Sequence, residues 1–319
     1  MSTPDVAQRL QANIAKVIVG KPDVIRLSLV ALLGRGHLLI EDVPGVGKTV
    51  LARAIAKSIQ ADFKRIQFTP DLLPTDVTGV SIYNQKTQDF AFREGPVFTS
   101  ILLADEVNRA TPRTQSSLLE AMEERTVTAD GVTHKLPELF FVIATQNPIE
   151  LSGTYPLPEA QLDRFMLKTR IGYTSPEDEA AILSGQKLGH PIDKLEPACA
   201  ASDILALQKK VREVFVDPAI QEYIVKLTNA TRKHDDVVLG AGPRGSLSLM
   251  RAAQAQALLD GRDYVVPDAV KKLAPAVLGH RLILTPQAKL SGFTADLVLE
   301  ALLGSTPVPV EKKPAAAKA

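Results

Sequence analysis

Short apolar runs, each closed by polar or glycine-rich residues, recur through the first half of the chain. Five of them read as strands, at residues 37–41, 63–68, 100–105, 139–145 and 165–171. Most are separated by stretches with apolar residues three and four apart. Val50 to Ile59 sets Leu51, Ile55 and Ile59 on one helix face, and Thr114 to Glu124 turns Leu118, Leu119 and Met122 inward. Alternating strands and helices predict a parallel sheet covered on both faces. Two segments depart from that rhythm. Residues 125–136 carry β-branched residues on either side of Asp130-Gly131, a two-residue hairpin turn. Val80 to Tyr83 and Asp89 to Phe92 form a second candidate hairpin around Asn84.

From about Ser175 the pattern turns helical. Ser175-Pro176 and Asp217-Pro218 each place proline at a first helical position. The second of these opens a helix through Ile220, Tyr223, Ile224 and Leu227. Leu247 to Leu259 and Pro267 to Leu278 follow, with a kink expected at Pro275. The expected organisation is an α/β unit over residues 1–173, a helical unit over 174–305 and a disordered Pro/Ala/Lys tail over 306–319.

A length of 319 residues, 45% of them apolar, leaves room for about two domains with ordinary cores. A net charge of +1 gives no compositional argument for nucleic acid. The first residues lack the charged-then-apolar pattern of a leader. No apolar run approaches the roughly 20 residues of a membrane span. Cys199 is the single cysteine, so no intrachain disulfide is available. A cytoplasmic protein is the simplest expectation.

The chemistry concentrates at strand ends. Gly45-Val46-Gly47-Lys48-Thr49 sits between an apolar strand and a helix. A glycine turn there offers backbone N–H groups and a helix N-terminus to a phosphate, with Lys48 reaching the β- and γ-phosphates and the Thr49 hydroxyl on Mg²⁺. The general phosphate-loop pattern wants glycine where this chain has Asp42. Downstream, Ile101-Leu102-Leu103-Ala104 runs into Asp105-Glu106. Asp105 at the carboxyl end of a strand suits Mg²⁺, and Glu106 suits polarising an attacking water. Each motif alone also fits a plain helix start or a strand capped by solvated acids.

With these motifs the chain resembles the AAA+ ATPases, and more narrowly the MoxR family. The residues that carry the resemblance are Glu41 to Thr49, Leu103 to Ala110, Thr114 to Glu124, Ala144-Thr-Gln-Asn-Pro148 and Glu159 to Phe165, within a span of about residues 15–300. It implies a five-stranded parallel αβα P-loop NTPase core with a C-terminal all-helical lid. The nucleotide-binding set it implies is Val19, Gly20, Pro44, Gly45, Val46, Gly47, Lys48, Thr49, Val50 and Asp105, with Thr49 and Asp105 on Mg²⁺. Val19-Gly20-Lys21 precedes the first helix, where related proteins hold adenine. Asn147 resembles the first sensor, Arg164 the arginine finger that enters a neighbouring subunit, and Arg244 the second sensor in the lid. Arg109 is a rival for the contact between subunits. Gln67 resembles a polar switch that restrains Glu106.

The resemblance also implies an ATP-hydrolysing ring, of six subunits in the family, that remodels or matures partner proteins carrying a von Willebrand factor A domain. The two hairpins mark the branch shared with magnesium chelatase subunits and replicative helicases. Neither is strongly basic or aromatic, unlike a single-strand groove, so nucleic acid is not expected as a partner. Two other readings stay open: a nucleotide-gated binding scaffold with little turnover, and a motor subunit of a metal chelatase.

Overall fold

The computed structural model describes residues 3–86, 88–148, 153–187 and 189–309. Its central sheet has five strands, in the order Phe63–Gln67, Ile101–Asp105, Phe141–Gln146, Leu38–Glu41 and Leu167–Thr169. All neighbouring pairs are parallel. The three inner strands feed alternate residues to two cores. Leu38, Ile40, Ile101, Leu103, Phe141 and Ile143 enter one, while Leu39, Leu102, Ala104, Val142 and Ala144 enter the other. Strands buried on both faces need unbroken apolar runs rather than alternation, which is the pattern of these three; the edge strand Phe63–Gln67 carries Lys64 and Arg65 instead.

The helices Thr3–Ala15, Pro22–Leu33 and Lys48–Ser58 cover the first face. Pro112–Glu124 covers the second through Leu118, Leu119 and Met122. Thr3–Ala15 corrects one expectation: Val19-Gly20-Lys21 lies between two helices, not before the first. Val6, Ala7, Leu10 and Ile14 bury that helix against the first face.

The C-terminal part is helical, from Pro176–Gly185 through Ala201–Glu213, Pro218–Lys233, Pro243–Leu259, Pro267–Leu278 and Pro286–Leu290 to Ala295–Ser305. It also holds a short antiparallel pair, Val237–Leu239 with Ile283–Leu284. Its buried residues, among them Leu227, Leu249, Val270 and Val277, belong to the same apolar core as the first face of the sheet. We therefore propose the boundary at 173/174 on the change of element type alone. Residues 306–309 have no regular structure, and the rest of the expected tail, 310–319, lies outside the described residues.

Two antiparallel hairpins leave the sheet: Gly79–Asn84 with Asp89–Glu94, and Thr126–Ala129 with Val132–Lys135. Asp130 and Gly131 take φ of 50° and 79°, the left-handed pair a tight hairpin requires. Phe92 stacks on His134 with ring centroids 3.9 Å apart, so the hairpins support each other. Among the described residues no helix is long and apolar enough to cross a membrane.

His37 immediately precedes the strand Leu38–Glu41 and is buried. Its Nδ1 accepts the Val142 N–H at 3.0 Å, so Nε2 carries the proton and donates to the Met122 carbonyl at 3.2 Å. Burial, aided by the Arg125 charge, pushes its pKa down to about 4 from an ordinary 6.5. Burial and Arg281 push His280 down as well. Between pH 6.5 and 4 the unfolded chain binds the His37 proton and the folded one does not. Stability is therefore full above that window and falls through it on acidification. We expect His37 to account for ~3 kcal/mol of loss between pH 7 and pH 4. Urea midpoints measured across that range check this, and a flat profile would contradict it.

Candidate active site

The strand Leu38–Glu41 ends in the turn 42–47 and the helix Lys48–Ser58. Gly45 and Gly47 take φ of 87° and 94°, and a Cβ on either would meet nothing within 4 Å. Glycine is required there by backbone angle, and the turn lies open above. Gly47 caps the helix without any side-chain hydrogen bond, so the first N–H groups remain available to an anion. Lys48 is folded back over the loop: its Nζ donates to the Asp42 carbonyl at 2.7 Å and the Val43 carbonyl at 3.2 Å. Thr49 follows in the first helical turn.

Asp42 is the departure from the usual loop, and the structure supplies its reason. Its φ is not positive, so no glycine is needed. Its buried carboxylate accepts the Val43 N–H at 2.8 Å and the Ile171 and Gly172 N–H groups at 2.7 Å each. The side chain thus ties the loop to the chain that leads into the helical part.

A cavity of about 550 Å³ opens beside the loop, a size within the ordinary range for a nucleotide-sized ligand. Val19, Pro44 to Gly47 and Val50 line it, with Ile171 to Thr174 opposite. Ile182 and Leu183 of the helix Pro176–Gly185 complete an apolar wall. The Lys21 Nζ donates to the Tyr173 carbonyl at 2.6 Å and joins the walls. Gly20, at φ 72°, packs against Asp178 and lies just outside the lining.

The second motif lies at the same end of the sheet. The Thr145 hydroxyl donates to Asp105 Oδ1 at 2.6 Å and accepts the Glu106 N–H at 2.8 Å. Glu106 sits at φ 54° and ψ 51°, a left-handed conformation uncommon for a side-chain-bearing residue. Its Oε2 accepts from Gln67 at 2.7 Å and from Arg109 at 3.0 Å. Asn147, buried, follows the strand Phe141–Gln146, and its carbonyl is 3.4 Å from the Asn108 amide. A hydroxyl on Thr49 and a carboxylate on Asp105 make an all-oxygen donor pair, which suits Mg²⁺ with its remaining waters and phosphate oxygens. Asp105 is not idle, however: Arg65 donates to its Oδ2 at 2.7 Å.

Arg164 and Arg244 lie elsewhere. Both line a separate cavity of about 310 Å³ with Glu123, Asp163 and Arg125. Arg164 pairs with Glu123 at 3.0 Å, and Arg244 reaches both Glu123 and Asp163. Neither lines the cavity at the phosphate loop. Beneath them the buried Arg281 donates to Asp163 Oδ1 at 2.7 Å and to the Phe165 carbonyl at 2.8 Å, fixing the segment that carries Arg164.

The profile of the ATPase family associated with various cellular activities (AAA) matches residues 37–167, and that of the AAA lid domain matches 229–302. Chaperone MoxR1 of Mycobacterium tuberculosis is 42% identical over 95% of this chain and 82% of its own length. The chain belongs to the MoxR family of AAA+ ATPases. YeaC of Bacillus subtilis is 57% identical over 94% of both chains. The crystal structure of a Cytophaga hutchinsonii protein assigned as an ATPase superposes with a TM-score of 0.89 at 36% identity, covering 97% of this chain and 96% of that one. In this MoxR-family chain Gly45 to Thr49, Asp105, Glu106 and Asn147 end or follow strands at one end of the sheet. Arg65, Thr145, Glu123 and Arg281 add contacts that no local motif announces, and Asp42 stands in the sequence only as an exception. Thr145 and Glu123 do lie inside the Ala144-Thr-Gln-Asn-Pro148 and Thr114 to Glu124 runs; for Arg65 and Arg281 only tertiary packing supplies a signal.

Replacing Asp42 by glycine restores the general loop pattern and removes the acceptor of three backbone N–H groups. We expect Asp42→Gly to lose about 2–4 kcal/mol of stability, since buried donors are left unpaired. It should also weaken nucleotide binding. Denaturant titration and fluorescent-nucleotide titration measure the two effects, and a tighter-binding variant would sink this account of Asp42.

Proposed function

We propose that this protein is a Mg²⁺-dependent ATP hydrolase that works as a ring and uses the nucleotide cycle to remodel partner proteins. What supports this most is the pairing of an open phosphate cradle with Asp105-Glu106 on one sheet end, in a chain of MoxR type. The Lys48 ammonium leaves the Asp42 and Val43 carbonyls for the phosphate oxygens, a charge-assisted exchange. The helix N-terminus and the glycine N–H groups hold the same phosphates. Mg²⁺, carried by Thr49 and Asp105, would offset phosphate charge in the transition state. Glu106 takes the proton of the attacking water, and Asn147 orients that water. The sheet is rigid here, because the Thr145 hydroxyl fixes the Asp105 side chain and the Glu106 backbone together.

Arg164 acts on the phosphates of a neighbouring subunit. Its separation from its own phosphate-loop cavity supports that direction, and Arg244 beside it faces the same way rather than reading its own nucleotide. Arg109, bonded to Glu106 of its own subunit, is better placed to act within one site than between two. The hairpin Gly79–Asn84/Asp89–Glu94, with Tyr83 and Phe90 exposed, offers an apolar surface for a partner. A von Willebrand factor A domain protein is the partner class that the family implies, and a six-subunit ring its assembly.

Steady-state ATP hydrolysis should rise more steeply than in proportion to protein concentration, because sites are completed between subunits. Glu106→Gln should keep nucleotide binding and lose about 10²–10⁴ in turnover, the usual contribution of a general base. Arg164→Ala should bind normally and lose on the order of 10³ or more. Mixing it with Glu106→Gln subunits, which can donate Arg164, should restore turnover. Absence of rescue at every mixing ratio would rule out the role between subunits.

A further inference from the structure

The strand Phe63–Gln67 lies at the edge of the sheet, in parallel register with Ile101–Asp105, so that Gln67 sits opposite Asp105. Residues two apart on a strand share a face, which puts Arg65 and Gln67 side by side. Arg65 Nη2 donates to Asp105 Oδ2 at 2.7 Å, its Nε donates to the same oxygen at 3.2 Å, and Nη2 also donates to Gln67 Oε1 at 2.7 Å. Gln67 in turn holds Glu106 through its amide at 2.7 Å. One guanidinium therefore contacts the metal-binding carboxylate directly and the water-activating carboxylate through one amide. Thr145 occupies the other oxygen of Asp105.

We propose that Arg65 is a positioning residue that occupies Asp105 before Mg²⁺ arrives, so that loading the metal displaces Arg65 and loosens the hold of Gln67 on Glu106. The inference rests on the nucleotide-hydrolysing reading above and concerns the same site. Three features carry it. A monovalent and a divalent cation on one carboxylate oxygen repel each other, so the two occupancies compete. The Asp105 side chain is 10% exposed and pinned by Thr145, whereas that of Arg65 is 47% exposed, so exchange proceeds by the arginine swinging into water. The Arg65 fork also fixes the Gln67 amide, with its oxygen toward Nη2 and its nitrogen toward Glu106. When the fork leaves, that orientation loses its partner, and the hold of Gln67 on Glu106 loosens while Arg109 keeps its own contact at 3.0 Å. Metal arrival and the loosening of the base are thereby coupled.

A half-exposed ion pair contributes little to folding. Arg65→Gln should accordingly leave the thermal midpoint near that of the natural protein, and a structural role would instead lower it. The decisive measurement is binding of a fluorescent ADP to the full-length protein, titrated with Mg²⁺ after EDTA treatment. Arg65→Gln should lower the Mg²⁺ concentration for half-maximal tightening about tenfold, with ADP affinity in EDTA unchanged. Arg65→Lys keeps the charge and loses the fork. It should keep the natural Mg²⁺ requirement and match the natural turnover at saturating Mg²⁺, where the metal has already displaced the side chain at position 65; a several-fold difference there would overturn the displacement. An unchanged or raised Mg²⁺ requirement in Arg65→Gln, with ADP bound normally, overturns the role of Arg65 alone. Failure of the natural protein to bind ADP at all overturns the hydrolase reading and this inference with it.

Discussion

The Asp42 carboxylate is the contact on which the site depends. It sits where the strand Leu38–Glu41 gives way to the glycine turn, and it accepts N–H groups from Val43 on one side and from Ile171 and Gly172 on the other. The carbonyl of the same residue accepts the Lys48 ammonium. Four groups from the loop, its lysine and the exit of the last strand thus converge on one buried residue. A charged acceptor can satisfy several donors at once, and burial makes each of them costly to leave unpaired. Glycine in that position frees the backbone of a loop and contributes nothing of this. In the proposed cycle, Lys48 moving toward a phosphate would take a donor from Asp42, which also holds Ile171 and Gly172, the latter three residues before the cap of the helix Pro176–Gly185. On the proposed function, the nucleotide site and the segment leading into the helical part share a residue.

The parts legible in the sequence are those whose cause is local. Continuous apolar runs mark the three inner strands, buried on both faces, and the structure keeps all five expected strands within two residues at either end. The Asp130-Gly131 turn follows from positive φ, which few residues tolerate. The phosphate loop and Asp105-Glu106 are contiguous, so their spacing alone brings the groups together. Arg65 could not be read in that way. Its partner is forty positions away, and only the parallel register of the edge strand sets them together. The Thr3–Ala15 helix was missed because its stripe of Val6, Ala7, Leu10 and Ile14 is sparse and mixed with polar residues.

Arg244 shows the same limit for a motif residue. Its position at the start of the helix Pro243–Leu259 fits a lid sensor, yet the direction in which that helix start faces is decided by packing elsewhere. Arg281 anchors it. The guanidinium donates to the Asp163 side chain and to the backbone carbonyls of Phe165 and Asp163, all preceding the last strand. This holds Asp163 within reach of Arg244 and puts Arg164 on Glu123. The order of motifs along the chain cannot reveal such a joint, because it is made by a residue outside every motif.

The two arginine–aspartate pairs explain how one chain can be rigid in one place and exchangeable in another. Arg281 and Arg65 each place a nitrogen 2.7 Å from a carboxylate. The Arg281 side chain is 2% exposed, and burial lowers its pKa while Asp163 opposes that shift. Removing Asp163 leaves the buried Arg281 charge without its carboxylate, which costs several kcal/mol, so that pair has no accessible open state. Arg65 is 47% exposed and can hydrate its charge at once on leaving Asp105. The shortest distances are alike; what differs is the solvent available to the cation. The buried pair therefore behaves as a weld between the Arg164 segment and the helical part, and the exposed pair as a contact that another cation can replace.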